Sequence, residues 1–233
     1  MDWQTVVAAL FPQGEEVTQS GDFLCGSGRC GDQSFAVVGT TNHAEVGVEL
    51  ALAMAHAVLD AVRHYPQRPL LFLIDTSGQR LRHRDELLGI NSYMAHLGKC
   101  VEIARQQGHR VLGLIYDQAL SGGFIPNAMM ADLCAALPEA EIRVMGLPAM
   151  ARITRIPEER LRELSEASPV FAPGAINYVR MGAIDALWEG DLGQCLIDML
   201  HRADAIDRRA ARGFERGGRM LAQPVAHRVA QDD

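Results

Sequence analysis

The strongest candidates for a chemical function are Ser121, Gly122 and Gly123, which follow an apolar run at residues 111–116. Adjacent glycines let the backbone approach a ligand closely, and the first N–H groups of a helical turn have no acceptor inside that turn. Pro126 suits a first helical turn, so we predict a helix that begins between Gly123 and Pro126. The glycine pair is either an anion-stabilising site or a loop that only changes the chain direction.

A second group of candidates follows another apolar run, at residues 70–74. Ser77 and Gly78 come shortly after this run, and substrate-facing residues of α/β proteins collect at the carboxyl ends of strands. Arg80 and Arg82 come next, and arginine binds phosphate through paired hydrogen bonds. Each residue also has a plainer interpretation, because Ser77 can stabilise a turn and the arginines can form a solvated charged face.

Other candidate nucleophiles and proton donors have weaker support from their context. Ser121 lacks the G-x-S-x-G pattern of a serine hydrolase, because Ala119 occupies the first glycine position. Residues 26–31 match G-x-G-x-x-G but precede a strand-like segment, so we predict a glycine-rich hairpin and not a dinucleotide site. Three histidines are candidate proton donors, or else surface and helix-capping residues: His43, His83 and His96.

Composition and charge exclude several classes of protein. Of the 233 residues, 48% are hydrophobic and 22% are charged, and the net charge is -7. An acidic chain without a basic face is unsuited to nucleic-acid binding. No apolar run is long enough for a membrane span and the amino terminus lacks a signal-peptide pattern, so we expect a cytoplasmic protein. The five cysteines show no paired spacing, so neither a disulfide framework nor a metal site is predicted.

The alternation of strand-like and helix-like segments predicts an α/β fold with buried strands. The predicted strands are a hairpin within residues 23–38 and the runs at 70–74, 111–116, 132–137 and 141–145. The predicted helices are residues 3–11, 42–66, 85–107 and 124–130, and most of the chain beyond residue 148. We expect one domain over residues 1–222, with one or two terminal helices over 190–222 and a flexible tail at 223–233.

The ordered series of segments resembles the crotonase superfamily, and more narrowly its carboxyltransferase branch. The resemblance rests on D-T-S-G at residues 75–78, on S-G-G-F-I-P-N-A-M-M-A-D at 121–132 and on L-C-A-A-L-P-E-A-E-I-R-V-M-G-L-P-A-M at 133–150. A long helix and a strand separate the first two motifs. The resemblance covers about residues 35–190, and within the branch the chain is similar to gamma subunits of biotin-independent malonate decarboxylases.

This resemblance implies a crotonase-like (ClpP/crotonase) spiral of ββα units with carboxy-terminal helices. It also implies a carboxy-lyase subunit, active only with a homologous beta subunit, that converts malonyl-S-acyl-carrier protein into the acetyl thioester through an enolate. Gly122 and Gly123 match the glycine pair of the family, whose backbone N–H groups form an oxyanion hole. The other candidate contacts, to the substrate or to a CoA-like prosthetic group presented by the carrier protein, are Ser77, Gly78, Arg80, Arg82, Ser121 and Phe124.

Two further functions are compatible with the same residues. One is a carboxyltransferase subunit of a biotin-dependent acyl-CoA carboxylase, although the resemblance implies that biotin is not needed. The other is a non-catalytic crotonase-fold scaffold that supports the beta subunit. The resemblance leaves open which of the two homologous subunits holds the enolate, since each subunit of such a pair has its own glycine pair.

Overall fold

The structure, a computed structural model, describes residues 1–167, 174–180, 182–203, 208, 211, 215 and 222–231. In this part of the chain nine strands form one sheet: β1 (Glu15–Ser20), β2 (Phe23–Cys30), β3 (Gln33–Thr40), β4 (Ala44–Val46), β5 (Leu70–Gln79), β6 (Val111–Leu120), β7 (Leu133–Ala136), β8 (Glu141–Arg143) and β9 (Ala186–Leu187). The helices are α1 (Trp3–Leu10), α2 (Val48–His64), α3 (His83–Leu87), α4 (Ile90–Gln106), α5 (Leu147–Thr154), α6 (Glu158–Ala167), α7 (Ala175–Arg180), α8 (Leu192–Arg202) and α9 (Ala222–Gln231).

The sheet has an antiparallel part and a parallel part. Strands β1, β2 and β3 form an antiparallel meander, and β3, β5, β6, β7 and β9 follow in parallel order. The glycine-rich segment lies in the β2–β3 hairpin, where Gly26 pairs with Val37. Strand β3 follows these glycines directly and pairs with β2, so the predicted glycine-rich hairpin is confirmed.

The side chains of β5 alternate between two hydrophobic clusters, one on each face of the sheet. Leu70, Phe72 and Ile74 belong to the cluster that contains the buried sides of α2 and α4. Leu71 and Leu73 belong to the cluster with α1 and α8. All five side chains are fully buried, which explains why this strand is apolar without alternation in its sequence.

Strand β5 is longer than its apolar run. The sequence predicts that the strand ends at residue 74 and that a turn follows, but the strand continues through a register shift between Ile74 and Thr76 to Gln79. Beyond this shift, Gly78 pairs with Glu45 of β4. The predicted turn was wrong because the polar residues pair with β4, whose residues fall within the helix predicted over 42–66.

Two helix predictions were also wrong. Gly89 has a φ of 75° and separates α3 from α4, where one helix over 85–107 was expected. In place of the helix predicted over 124–130, the chain forms two 3₁₀ turns, Ser121–Gly123 and Ala128–Met130. Ser121 is left-handed, with a φ of 52°, and Asn127 accepts a hydrogen bond from the N–H of Ala128, so the α-helix does not begin.

The carboxy-terminal half agrees with the predicted helical character. Helix α8 lies in the predicted 190–222 region, whereas residues 204–207, 209–210, 212–214 and 216–221 lie outside the described part of the chain, as do residues 168–173 around two predicted breaks. The segment expected to be a flexible tail contains α9, and residues 224–231 of this helix are exposed. Among the described residues, no helix combines the length and the apolar character needed to cross a membrane.

Candidate functional site

The 3₁₀ turn Ser121–Gly123, here called the glycine turn, packs directly against the end of β5. A Cβ atom placed on Gly123 would lie 2.5 Å from Thr76 Oγ1 and 2.8 Å from the Cα of Gly78. Thr76 Oγ1 also donates to the carbonyl of Ala44, at 2.6 Å, and accepts from the N–H of Gly78, at 3.0 Å. Only glycine fits at position 123, so the turn is fixed against two strands.

The neighbouring glycine has a different environment. The nearest atom to a Cβ placed on Gly122 would be Gln79 Oε1, at 3.8 Å, which is an ordinary van der Waals contact. Gly122 is partly exposed, whereas Gly123 is buried. The absence of a side chain at position 122 therefore leaves open space in front of the turn, whereas at position 123 it permits close packing.

That open space is a cavity of about 590 Å³, here called the apolar pocket. It lies between the glycine turn, the end of β5 and one side of α4, and its lining is largely hydrophobic: Gln79, Asn91, Met94, Ala95, Gly98, Lys99, Glu102, Gly122, Ile125, Pro126 and Met130. Lys99, the single lysine of the chain, is exposed at this pocket. A ligand in the pocket would therefore be bordered by Gly122, by apolar side chains and by the cation of Lys99.

The remaining predicted residues of this region are divided between surface and core. Ser121 is exposed, and Ser77 is exposed with its hydroxyl donating to the carbonyl of His43 at 2.9 Å. Gly78 has a φ of 112° and lies under the glycine turn. Phe124 is 2% exposed and belongs to the core beside α2 and α4, so its side chain supports the turn and does not reach the pocket surface.

The two predicted phosphate-binding arginines differ in their availability. The guanidinium of Arg80 donates to both oxygens of Asp85, at 2.7 and 2.8 Å, and to Glu49, at 2.7 Å. It also packs over Gly47, where a Cβ would lie 2.3 Å from the guanidinium carbon. Arg80 therefore connects the end of β5 to α2 and α3, whereas Arg82 is exposed in the residue before α3.

These ion pairs shift the titration of their acids. Hydrogen bonds from Arg80 are the main cause that lowers the pKa of Asp85 to about 2. Hydrogen bonds from Arg84, and then from its own backbone N–H and from Arg80, lower the pKa of Glu49 to about 2. Since both acids stay charged well below neutral pH, the guanidinium of Arg80 remains occupied by protein partners under ordinary conditions.

A second cluster of functional groups lies in the second halves of β5 and β6 and in the turn before β4, and the sequence does not predict that its members meet. It consists of His43, Asp75 and Asp117, which line a separate cavity of about 540 Å³ near the amino terminus, here called the polar pocket. Burial raises the pKa of Asp75, while the backbone and the ring of His43 act in the opposite direction. His43 and Asp75 are 32 residues apart along the chain, and Asp75 and Asp117 are 42 residues apart, so no local sequence motif identifies this cluster.

A family model described as malonate decarboxylase gamma subunit matches residues 41–233. The malonyl-S-ACP:biotin-protein carboxyltransferase MADD of Malonomonas rubra is 29% identical over 202 residues, which cover 77% of this chain and 69% of that protein. These two matches come from the sequence alone.

Solved structures share the fold. A chain of a Pseudomonas malonate decarboxylase hetero-tetramer in complex with coenzyme A superposes with a TM-score of 0.81 at 24% identity, over 97% of both chains. A chain of the Pseudomonas MdcD-MdcE hetero-dimer superposes with a TM-score of 0.77 at 23% identity, again over 97% of both chains. A chain of transcarboxylase 12S superposes with a TM-score of 0.73 at 18% identity, over 87% of this chain and 41% of that chain.

The predicted fold class, a mixed α/β crotonase-type carboxyltransferase fold, is confirmed. Because the family model matches most of its length, the chain belongs to the family of malonate decarboxylase gamma subunits.

Proposed function

We propose that this chain acts with a homologous beta subunit to decarboxylate malonyl-S-acyl-carrier protein to the acetyl thioester, and that the glycine turn stabilises the enolate. The observation that carries the proposal is the contact between Gly122 and the apolar pocket. A thioester whose acyl end lies in this pocket would place its carbonyl oxygen beside backbone N–H groups of the turn.

The chemistry explains why backbone donors are needed. Loss of carbon dioxide from a malonyl thioester leaves its bonding electrons on the α-carbon, and the charge is delocalised to the thioester oxygen as an enolate. Protonation at the α-carbon then gives the acetyl thioester. Donors aimed at the oxygen stabilise this intermediate without reorganising, and the loss of one such donor raises a barrier by about 2.7 to 4 kcal/mol in other enzymes.

The pocket also suits the arm of a CoA-like prosthetic group. Met94, Ile125 and Pro126 give an apolar path, and Lys99 offers a cation for a phosphate at its end. Arg82 is a second cation, exposed after β5. Arg80 is assigned a structural function instead, since Asp85 and Glu49 occupy its guanidinium.

A partner subunit is proposed from the surface around the pocket and from the relatives. Ile125, which lines the pocket, is 52% exposed, and Met129 in the following 3₁₀ turn is 38% exposed. The related Pseudomonas structures are a hetero-dimer and hetero-tetramers. We propose that a homologous beta subunit covers this side and completes the site.

The main alternative is a biotin-dependent carboxyltransferase. It is favoured by the name of the Malonomonas rubra relative, a malonyl-S-ACP:biotin-protein carboxyltransferase. In that reaction the carboxyl group passes to biotin and is not released, but the same enolate forms. The glycine turn therefore serves both reactions, and the fate of the carboxyl group distinguishes them.

The experiment is to co-express the chain with its beta subunit and to assay the purified complex on malonyl-S-carrier protein. We expect release of carbon dioxide and formation of the acetyl thioester at the same rate with and without a biotinylated carrier. A requirement for the biotinylated carrier, with transfer of the labelled carboxyl group to it, would replace the decarboxylase with the carboxyltransferase.

A further inference from the structure

We propose that His43, Asp75 and Asp117 bind a divalent transition-metal ion of the Zn²⁺ type in the polar pocket. This site lies apart from the apolar pocket, shares none of its lining residues and does not depend on the proposed decarboxylation. The three side chains come from the turn before β4 and from β5 and β6, so the fold and not a local motif brings them together.

The ligand atoms are close to the spacing that an ion requires. His43 Nε2 lies 3.5 Å from Asp117 Oδ2 and 3.7 Å from Asp75 Oδ1, and one ligand atom from each residue lies within 4.8 Å of the others. Ligands about 2.0 to 2.1 Å from a tetrahedral ion are separated by about 3.4 Å. The two distances from His43 Nε2 to the carboxylate oxygens therefore exceed the spacing of two ligands on one ion by only a few tenths of an ångström.

Asp75 gives an independent reason for a cation at this point. Its side chain is 4% exposed, and its Oδ1 atom is buried without a hydrogen-bond partner among the described residues. A buried carboxylate oxygen without a donor is costly, and a coordinated cation removes that cost. This oxygen is the Asp75 carboxylate atom nearest His43 Nε2, at 3.7 Å, and Asp75 lines the polar pocket.

The surrounding hydrogen bonds hold the proposed ligands in place. The other oxygen of Asp75, Oδ2, accepts from the N–H of His43 at 2.8 Å, and the N–H of Asp75 donates to Thr40 Oγ1 at 3.2 Å. Ser77 holds the carbonyl of His43. Because these hydrogen bonds occupy Oδ2 and orient the side chain, Oδ1 is the Asp75 oxygen that remains to bind the ion.

The donor set indicates the kind of ion. One imidazole nitrogen with two carboxylate oxygens suits Zn²⁺, Co²⁺ or Mn²⁺, whereas Ca²⁺ prefers six to eight oxygens. Three protein ligands leave at least one position of a tetrahedral ion open. That position would face the polar pocket, where water or an anionic ligand could occupy it.

The test is titration of the metal-stripped, full-length chain with ZnCl₂ in a calorimeter. We expect the wild type to bind one Zn²⁺ ion tightly. The affinity for Zn²⁺ should fall at least about tenfold in His43→Ala and in Asp117→Asn. The Asp117 side chain is 44% exposed, so its substitution should leave the fold intact. His83→Ala removes an exposed histidine of α3 and is the matched control, expected to bind Zn²⁺ as the wild type does.

A second probe guards against zinc bound by the cysteines. Mn²⁺ prefers oxygen and nitrogen ligands to thiolate. Its paramagnetic resonance signal should therefore show binding at the same site, with weaker binding in His43→Ala and in Asp117→Asn. The proposal is overturned if the wild type binds neither ion at millimolar concentration, or if His43→Ala and Asp117→Asn bind both ions as tightly as His83→Ala. Activity of the complex does not enter this test, so its outcome is separate from that of the proposed decarboxylation.

Discussion

At the scale of single residues, the two adjacent glycines have different surroundings. The sequence alone presents Gly122 and Gly123 as one pair, because both permit close approach of a backbone. In the structure, Gly123 is needed because Thr76 and Gly78 leave no room for a side chain, whereas Gly122 lies open toward the apolar pocket. The glycine pair could be found from the sequence, but this division of roles depends on contacts with β5.

The difference gives a stability prediction. Gly123→Ala should lower the free energy of unfolding by about 1 to 3 kcal/mol, because its Cβ would lie 2.5 Å from Thr76 Oγ1 and 2.8 Å from Gly78 Cα. The free energy of unfolding of Gly122→Ala should stay within about 0.5 kcal/mol of that of the wild type. Urea unfolding of both variants measures this, and equal stabilities would contradict the assignment of Gly123 to packing.

At the scale of elements, Arg80 holds three pieces of secondary structure together. It follows β5 and pairs with Asp85 of α3 and Glu49 of α2, and Arg84 also pairs with Glu49. Asp85 in addition accepts from the N–H of Val48 at the start of α2, at 3.4 Å. This connection fixes the segment that leads from the end of β5 into α4, which forms one wall of the apolar pocket.

The connection predicts a dependence of stability on pH. The pKa of Asp85 is about 2 in the folded chain against an ordinary value of 3.8, so its contribution to stability is complete above about pH 5 and is lost as the pH falls through about 2. Asp85→Asn should be less stable than the wild type at neutral pH, with a gap that narrows below pH 4. Thermal unfolding of both proteins from pH 7 to pH 2 measures this difference in stability.

A matched control for this experiment is Asp32→Asn, which changes an exposed acid in the β2–β3 turn. We expect this variant to follow the wild type at every pH. A constant gap between Asp85→Asn and the wild type from pH 7 to pH 2 would show that Asp85 does not act through its charge.

The elements themselves were predictable to different degrees. Buried runs such as residues 70–74 and 111–116 were found from the sequence, because burial on both faces demands continuous apolar residues. Their polar extensions to Gln79 and Leu120 were not, since they form strands through pairing with β4, with β8 and with each other. The break at Gly89 and the 3₁₀ turns were missed because tertiary contacts override helical periodicity there.

At the scale of the whole molecule, the apolar pocket and the polar pocket differ in their chemistry. The apolar pocket adjoins the glycine turn and is open to a partner, and the polar pocket lies near the amino terminus. The order of segments along the chain was sufficient to predict the family. The second cavity was not predictable, because its three ligands have no common spacing and meet only when β5 and β6 are placed side by side.

The most direct test of the central claim is the rate of carbon dioxide release from malonyl-S-carrier protein by the purified complex with Gly122→Ala and Gly122→Val. Both variants should assemble and melt like the wild type, because the nearest atom to a Cβ at position 122 is Gln79 Oε1, at 3.8 Å. If the enolate forms beside this turn, activity should fall in steps with the added methyl groups, reaching a loss of about 10² or more in Gly122→Val. Full activity in an intact Gly122→Val complex would contradict the claim and place the enolate in the beta subunit.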